Sequence, residues 1–305
     1  MTDLLEKPLA LASAWTTPDA SAATRPDAST DRRAPRHPAI VLLRRPGVIV
    51  AVAIVAFAIL TAIWPGLFAT YDPTATEPAA RLSAPSLAHW FGTDELGRDL
   101  YSRVVHGSTL TIAATALAIG IALVVGLTLG ILSGFVGGAV DSVAMRIVDV
   151  FLAIPGLLLA LAIVTALGFG TLPVAIAVGV GIVPGFARTT RAEVLRVKTL
   201  PYIEAARAGG ASWTRVLVTH VLPNSWGPVA VLAVLDFGAA ILAVAALSFL
   251  GFGAAPPAAE WGTLISAGRN YLVTAPWVSL LPGLFVAAVV LSLNHLAKSF
   301  EEIQR

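Results

Sequence analysis

Long apolar runs are the feature that most constrains this chain. A helix rises about 1.5 Å per residue and the hydrocarbon layer is about 30 Å thick, so a spanning helix needs roughly 20 apolar residues. Six segments meet or approach that length. They are approximately residues 47–67, 109–135, 143–167, 172–187, 226–250 and 276–297. Because lipid offers no partner for backbone polar groups, the sequence predicts an all-α, polytopic membrane protein with six transmembrane helices.

The composition agrees with a membrane environment. Hydrophobic residues make up 57% of the chain and charged residues only 12%, whereas soluble domains carry about 25% charged residues. The chain has no cysteine, which excludes disulfides, thiolate metal sites and a cysteine nucleophile. Its basic residues are spread over several short loops, so we interpret them as topology signals and expect no nucleic-acid partner.

The distribution of lysine and arginine predicts the orientation. Residues 1–40 are rich in Ala, Ser, Thr, Pro and Asp, and we expect a disordered tail there. If this tail is cytoplasmic, only Arg81, Arg98, Arg103 and Arg269 of the 20 basic residues lie outside. The positive-inside rule therefore predicts cytoplasmic N- and C-termini. The long loop 188–225 then lies inside, and segments 68–108 and 251–275 lie outside.

Residues 201–224 form the most informative part of that loop. Pro201 suits a first helical position and Glu204 suits a first turn, whereas Gly209 and Gly210 stop a helix. Ser212 is a candidate cap for a second short helix that ends near Pro223. The pattern predicts two short helices joined at a glycine bend, called the elbow below. From periodicity alone, an interfacial elbow without a partner and a docking element are equally good interpretations.

Inside the spans, two features have two interpretations each. Gly126, Gly130 and Gly134 recur at every fourth position, which lets helices approach closely in lipid. We favour a packing role, and an interface with a second subunit of the same fold is the alternative. Asp236 is the one acidic residue predicted well inside a span; it either faces a translocation path or pairs with another helix near the inner end.

Other charged and aromatic residues suggest structural roles. Arg146 and Asp149 are three residues apart and should pair on one helical face. The outer charged residues around Gly92 and Gly97 should form a solvated, mutually paired turn. Tryptophans in the outer segments are expected to anchor at the membrane interface. The charged residues of the turn are Asp94, Glu95, Arg98, Asp99 and Arg103, and the tryptophans are Trp90, Trp261 and Trp277.

Several strings resemble the permeases of ATP-binding-cassette importers. Glu204, Ala205 and Ala206, followed by Gly210 and by the Val-Leu-Pro ending at Pro223, are similar to the EAA signature of that family. Residues 91–112, 141–163 and 245–271 resemble the dipeptide, oligopeptide and nickel group, of the DppC or OppC type. The resemblance implies a type I importer bundle with residues 41–108 as first helix plus outer segment, and 109–305 as core permease domain.

In that family the elbow is the helix that couples to a cytoplasmic ATPase. The resemblance implies that Glu204, Ala205, Ala206, Arg207, Gly210, Ala211, Ser212, Leu222 and Pro223 belong to it. It also implies four kinds of partner: a homologous permease of the DppB or OppB type, two ATPase subunits, an extracytoplasmic solute-binding protein and the lipid of a bacterial inner membrane.

The family further implies a non-catalytic subunit that carries di- or oligopeptides. The chain has no phosphate-binding G-x-x-x-x-G-K-[ST] loop. We therefore expect no cofactor or metal on this chain, with ATP and Mg bound by the partner subunits. Import of nickel or another small solute remains an alternative. An ion-coupled carrier would need more charges inside the spans and matched broken helices, and a purely structural anchor would tolerate replacement of the elbow.

Overall fold

The structure, a computed structural model, describes residues 46–304, so the predicted disordered tail lies outside the described residues. Eleven α-helices are found in this part of the chain. They are α1 (Pro46–Ile63), α2 (Pro65–Phe68), α3 (Leu100–Val136), α4 (Gly138–Ala153), α5 (Gly156–Leu167), α6 (Thr171–Lys198), α7 (Pro201–Ala208), α8 (Trp213–Val216), α9 (Leu222–Phe249), α10 (Trp261–Gly268) and α11 (Trp277–Gln304).

Five of these stretches are long and apolar enough to cross a membrane. They are α1, α3, α6, α11 and the continuous stretch Trp213–Phe249, which includes α9. Helices α4 and α5 pass the same test only together, as a pair bent by 94°. The all-α prediction is confirmed, and the number of spans reaches six when this pair is counted as one.

The predicted third span, residues 143–167, consists of two helices because the chain breaks at Pro155. Residue Ile154 is extended, with φ −94° and ψ 128°, between α4 and α5. Proline has no amide hydrogen and disfavours the helical conformation of the residue before it. Pro184, by contrast, lies inside the continuous helix α6. Proline alone therefore does not decide which span is broken.

Three helices extend further than the apolar runs predict. Helix α3 begins at Leu100 because Asp99 caps it, its carboxylate accepting a hydrogen bond from the Ser102 amide at 2.8 Å. Helix α6 continues to Lys198, and α9 begins at Leu222. The segment between α6 and α9 is therefore shorter than the predicted loop 188–225. At the end of α6, arginine and lysine residues beyond the apolar run still favour helix.

The glycines of α3 lie against α6. A Cβ atom added at Gly126 would be 2.5 Å from the Phe186 Cβ, and one at Gly130 would be 2.5 Å from the Thr190 Cβ. At Gly134 the nearest atom would be a Val194 methyl at 2.9 Å. Real side chains do not tolerate such distances, so the stripe brings the two backbones together within this chain.

Helix α10 lies in the core at the end of the bundle opposite the elbow. Trp261 is fully buried, and its Nε1 donates a hydrogen bond to the Val104 carbonyl of α3 at 3.0 Å. Its backbone amide donates to the Thr111 hydroxyl at 3.2 Å. The prediction of an interfacial anchor is therefore wrong for Trp261: the ring fills the space between α3, α10 and α11, where it also contacts Phe285. Trp90 remains 55% exposed.

Candidate functional site

The elbow forms where the sequence predicts it. Helix α7 begins at Pro201, with Glu204 in its first turn, and ends before Gly209. The bend depends on Gly210, whose φ of +83° is a left-handed conformation that glycine adopts without strain. Ser212 then caps α8 by accepting a hydrogen bond from the Arg215 amide at 3.4 Å.

The second short helix does not end at Pro223. A π-helical turn, Leu217–Val221, joins α8 to α9, and Pro223 lies in the first turn of α9. A proline at this position cannot donate to the carbonyl four residues earlier, so the hydrogen-bond ladder widens there instead of stopping. The elbow is consequently continuous with a membrane-spanning helix, and a displacement of α8 acts on α9 directly.

The two faces of the elbow differ in exposure. Glu204, Ala205, Arg207, Gly210 and Ser212 are exposed, as is Pro223, whereas Ala206, Ala211 and Leu222 are half-buried. The underside is a compact apolar cluster of Ile203, Val216 and Val221 with residues from α3 and α6, namely Phe135, Val194 and Val197. The structure thus leaves one polar, small-residue face open and attaches the other face to the spans.

Aromatic and polar contacts strengthen this attachment. The Phe135 and Trp213 rings meet edge to face with centroids 4.6 Å apart, and the Arg207 guanidinium lies 5.9 Å from the Phe135 centroid. The Lys198 ammonium donates to the Gly134 carbonyl at 2.7 Å. Since Phe135 and Gly134 belong to the last turn of α3, the elbow is linked to the end of α3 as well as to α9.

An ion-pair cluster next to the elbow joins α4 to α6. The Arg191 guanidinium donates to the Asp141 carboxylate, with Nη2 to Oδ2 at 2.6 Å, and the Ser133 hydroxyl donates to the same carboxylate. Asp149 pairs with Arg188 at 2.7 Å. The predicted pair between Arg146 and Asp149 is therefore wrong, because α6 runs past α4 and presents its arginines to these carboxylates.

Asp236 lies in the middle of α9 and is partly exposed. Among the described residues it makes no hydrogen bond and no ion pair, so the interhelical pairing considered above has no counterpart in the structure. Ala239 and Ala243, three and seven residues further on, lie on the same face of the helix. They line an apolar cavity of about 210 Å³ between α5, α6 and α9.

The outer charged turn is paired but not solvated. Asp94 is only 2% exposed and accepts from the Arg98 Nε at 2.7 Å, with the Arg103 Nε at 3.4 Å. The Asp99 carboxylate lies 2.9 Å from His89 Nδ1. The solvated-turn prediction is wrong because residues 69–99 fold back over the start of α3, where Thr70 and Tyr71 donate to the Ser102 hydroxyl.

Three residues make buried or interhelical contacts that the sequence did not indicate. Arg191 and Lys198 were treated only as topology signals, although each fastens α6 to a neighbouring element. Glu260 is fully buried and accepts from the Ser248 hydroxyl at 2.8 Å and the Ala254 amide at 2.9 Å. Glu260 is the N-cap residue of α10, but its side chain makes no cap hydrogen bond there, so the helix start in the sequence does not indicate these contacts.

Comparisons with known proteins agree on one family. Residues 126–304 match the family described as binding-protein-dependent transport system inner membrane component. The dipeptide transport system permease protein DppC of Alkalihalophilus pseudofirmus is 38% identical over 83% of this chain and 84% of its own. The glutathione transport system permease protein GsiD of Salmonella typhimurium is 45% identical over 72% of this chain and 73% of its own.

A solved structure has the same fold. The inward-facing MetNI methionine transporter aligns with a TM-score of 0.54, at 20% identity, over 66% of this chain and 96% of the matched chain. The family assignment is the same from the helical fold, from the two relatives and from the family match. This chain belongs to the family of inner-membrane components of binding-protein-dependent transport systems, as an ATP-binding-cassette importer permease similar to DppC.

Proposed function

We propose that this chain is one half of the translocation path of an importer for di- or oligopeptides. Its relatives are named for dipeptides and glutathione, which share amide bonds and free carboxylates. The other half would be a homologous permease of the DppB or OppB type. An extracytoplasmic binding protein would deliver the solute, and two cytoplasmic ATPases would bind ATP and Mg, leaving this chain without a catalytic role or cofactor of its own.

The observation that carries the proposal is the two-faced elbow. Its exposed side offers Glu204, Ala205 and Arg207 to a partner, and Ala205 leaves room for close approach. Its buried side packs on Phe135 of α3 and continues into α9. Closure of the ATPases would move the elbow, and the elbow would tilt α3, α6 and α9 together.

The proposal includes an orientation. An elbow that engages a cytoplasmic ATPase requires both termini on the cytoplasmic side of the inner membrane, in agreement with the distribution of basic residues. The opposite end of the bundle, which includes α10 and residues 251–260, would then face the binding protein. Asp236 would lie near the middle of the path, next to the small cavity between α5, α6 and α9.

Replacement of the exposed elbow face tests the proposal. Ala205→Trp adds bulk where close approach is proposed, and Ser142→Trp adds the same bulk at an exposed position of α4. In reconstituted complexes, we expect Ala205→Trp to lose ATPase association and ATP-dependent uptake of dipeptides, and Ser142→Trp to keep both. Normal uptake by Ala205→Trp would exclude the proposed coupling role, and uptake without any ATPase subunit would indicate an ion-coupled carrier.

A further inference from the structure

A cavity of about 540 Å³ opens at the end of the bundle opposite the elbow. Sites for small ligands usually measure about 300–1,000 Å³, so this volume suits a compound of dipeptide size. The wall is built by three parts of the chain: the charged turn before α3, residues 251–258 after α9, and α10 with the 3-10 turn Arg269–Tyr271. Such convergence of separate segments is typical of a binding site.

The charges of the wall leave one cation uncompensated. Arg98, Arg103 and Arg269 line the cavity together with two carboxylates, Asp94 and Glu95. Asp94 is occupied by Arg98 at 2.7 Å and Arg103 at 3.4 Å, and Glu95 lies 3.3 Å from Arg98. The salt bridges among the described residues do not include Arg269, which is exposed.

A second observation indicates a missing acceptor on the same wall. The Arg103 side chain is 6% exposed, and its Nε, although it lies 3.4 Å from an Asp94 oxygen in an ion pair, makes no hydrogen bond within the described part of the chain. On the same wall the Glu95 Oε2 is buried without a donor, so the wall holds one unpaired donor and one unpaired acceptor. A buried donor left without an acceptor costs about 1–3 kcal/mol, which is why such groups are rare. Asn270, next to Arg269, adds an amide to the wall. The cavity therefore combines one excess positive charge with one buried guanidinium nitrogen that makes no hydrogen bond.

We propose that this cavity binds the carboxylate end of a short peptide after the binding protein releases it. Arg269 pairs with the carboxylate, Asn270 donates to it, and the buried guanidinium of Arg103 adds a fixed positive potential. Guanidinium groups suit carboxylates because their planar donors match both oxygens. The site acts before the solute enters the spans. This inference rests on the proposed function, because it takes a peptide as the solute.

Binding to the permease–ATPase complex in nanodiscs, without the binding protein, tests the site. Saturation-transfer NMR with Ala-Ala and with its C-terminal amide reports weak binding directly. We expect the wild type to bind the amide about tenfold more weakly, the effect of one charge-assisted hydrogen bond. Arg269→Gln should lower the affinity for Ala-Ala to that for the amide and leave the affinity for the amide unchanged. Arg81→Gln, an exposed outer arginine outside the cavity, is the matched control.

The outcomes separate this site from the proposed function. Equal binding of Ala-Ala to wild type and Arg269→Gln, or no saturation transfer to either peptide, overturns the carboxylate site. ATP-dependent uptake of Ala-Ala by the complete complex tests the proposed function separately. If the wild-type complex takes up Ala-Ala but Arg269→Gln binds it with normal affinity, the carboxylate site is refuted and the importer function stands. If acetate displaces Ala-Ala from wild type alone, the carboxylate is the recognised group.

Discussion

The close approach of α3 and α6 makes Gly130→Ala the most informative single substitution. The new methyl group would lie 2.5 Å from the Thr190 Cβ and 2.6 Å from the Ala187 carbonyl oxygen. Carbon atoms prefer separations of about 3.5–4.0 Å, so the two helices must separate locally by about 1 Å. Overpacking of this kind costs about 1–3 kcal/mol. Backbone atoms form part of the obstacle, and they cannot rotate away as a side chain could.

Gly120→Ala isolates that steric cost. Gly120 lies in the same helix, and a Cβ atom there would meet nothing within 4 Å. Both substitutions gain the same helix propensity, about 1 kcal/mol, so the difference between them reports the steric effect alone. Unfolding of the purified chain in mixed micelles by SDS, followed by circular dichroism, measures both. We expect Gly130→Ala to be less stable than Gly120→Ala by about 1–3 kcal/mol. Equal stability of the two variants would refute the packing argument.

Three further predictions concern contacts and backbone that the structure adds. Asp141→Asn should cost about 1 kcal/mol at most, because its pair with Arg191 is partly exposed; in a double-mutant cycle with Arg191→Gln, additive effects on unfolding would contradict the pair. Glu260→Ala should lower the free energy of unfolding by about 1–3 kcal/mol for each donor left unpaired. Glu260→Gln should keep a stability near that of the wild type, since the Ser248 hydroxyl can accept a hydrogen bond from the new amide; equal melting temperatures of the two variants would contradict this role of the buried carboxylate. Pro155→Ala should reduce the 94° bend, seen as a longer distance between spin labels placed on α4 and α5; an unchanged distance would assign the bend to packing.

The elbow shows how far local sequence determined structure. Pro201, Gly210 and Ser212 act through their own backbone preferences, and each occupies the place in the elbow that those preferences predict. The run at Val221–Pro223 looked like a helix end for the same kind of reason. It is part of a continuous helix because a π-helical turn accommodates Pro223. Val216 and Val221, at the two ends of that turn, pack in the apolar cluster with Phe135.

The charged residues show the opposite case. Arg146 and Asp149 have the spacing of a helical pair, yet Asp149 bonds to Arg188, which is distant in sequence. Asp94 and Trp261 looked like surface residues from their segment, and both are buried because distant segments cover them. Spacing along one helix sets which side chains could meet, but it contains no information on which other helix comes nearer.

Hydrophobicity and backbone preferences, which act over a few residues, were enough to predict the all-α membrane class, the apolar spans, the elbow and the glycine stripe. They did not predict that α6 receives the stripe, that Arg191 binds Asp141, or that α10 lies inside the bundle beside a charged cavity. Those choices depend on which helices pack together, and that is a balance of many contacts between residues far apart in the chain.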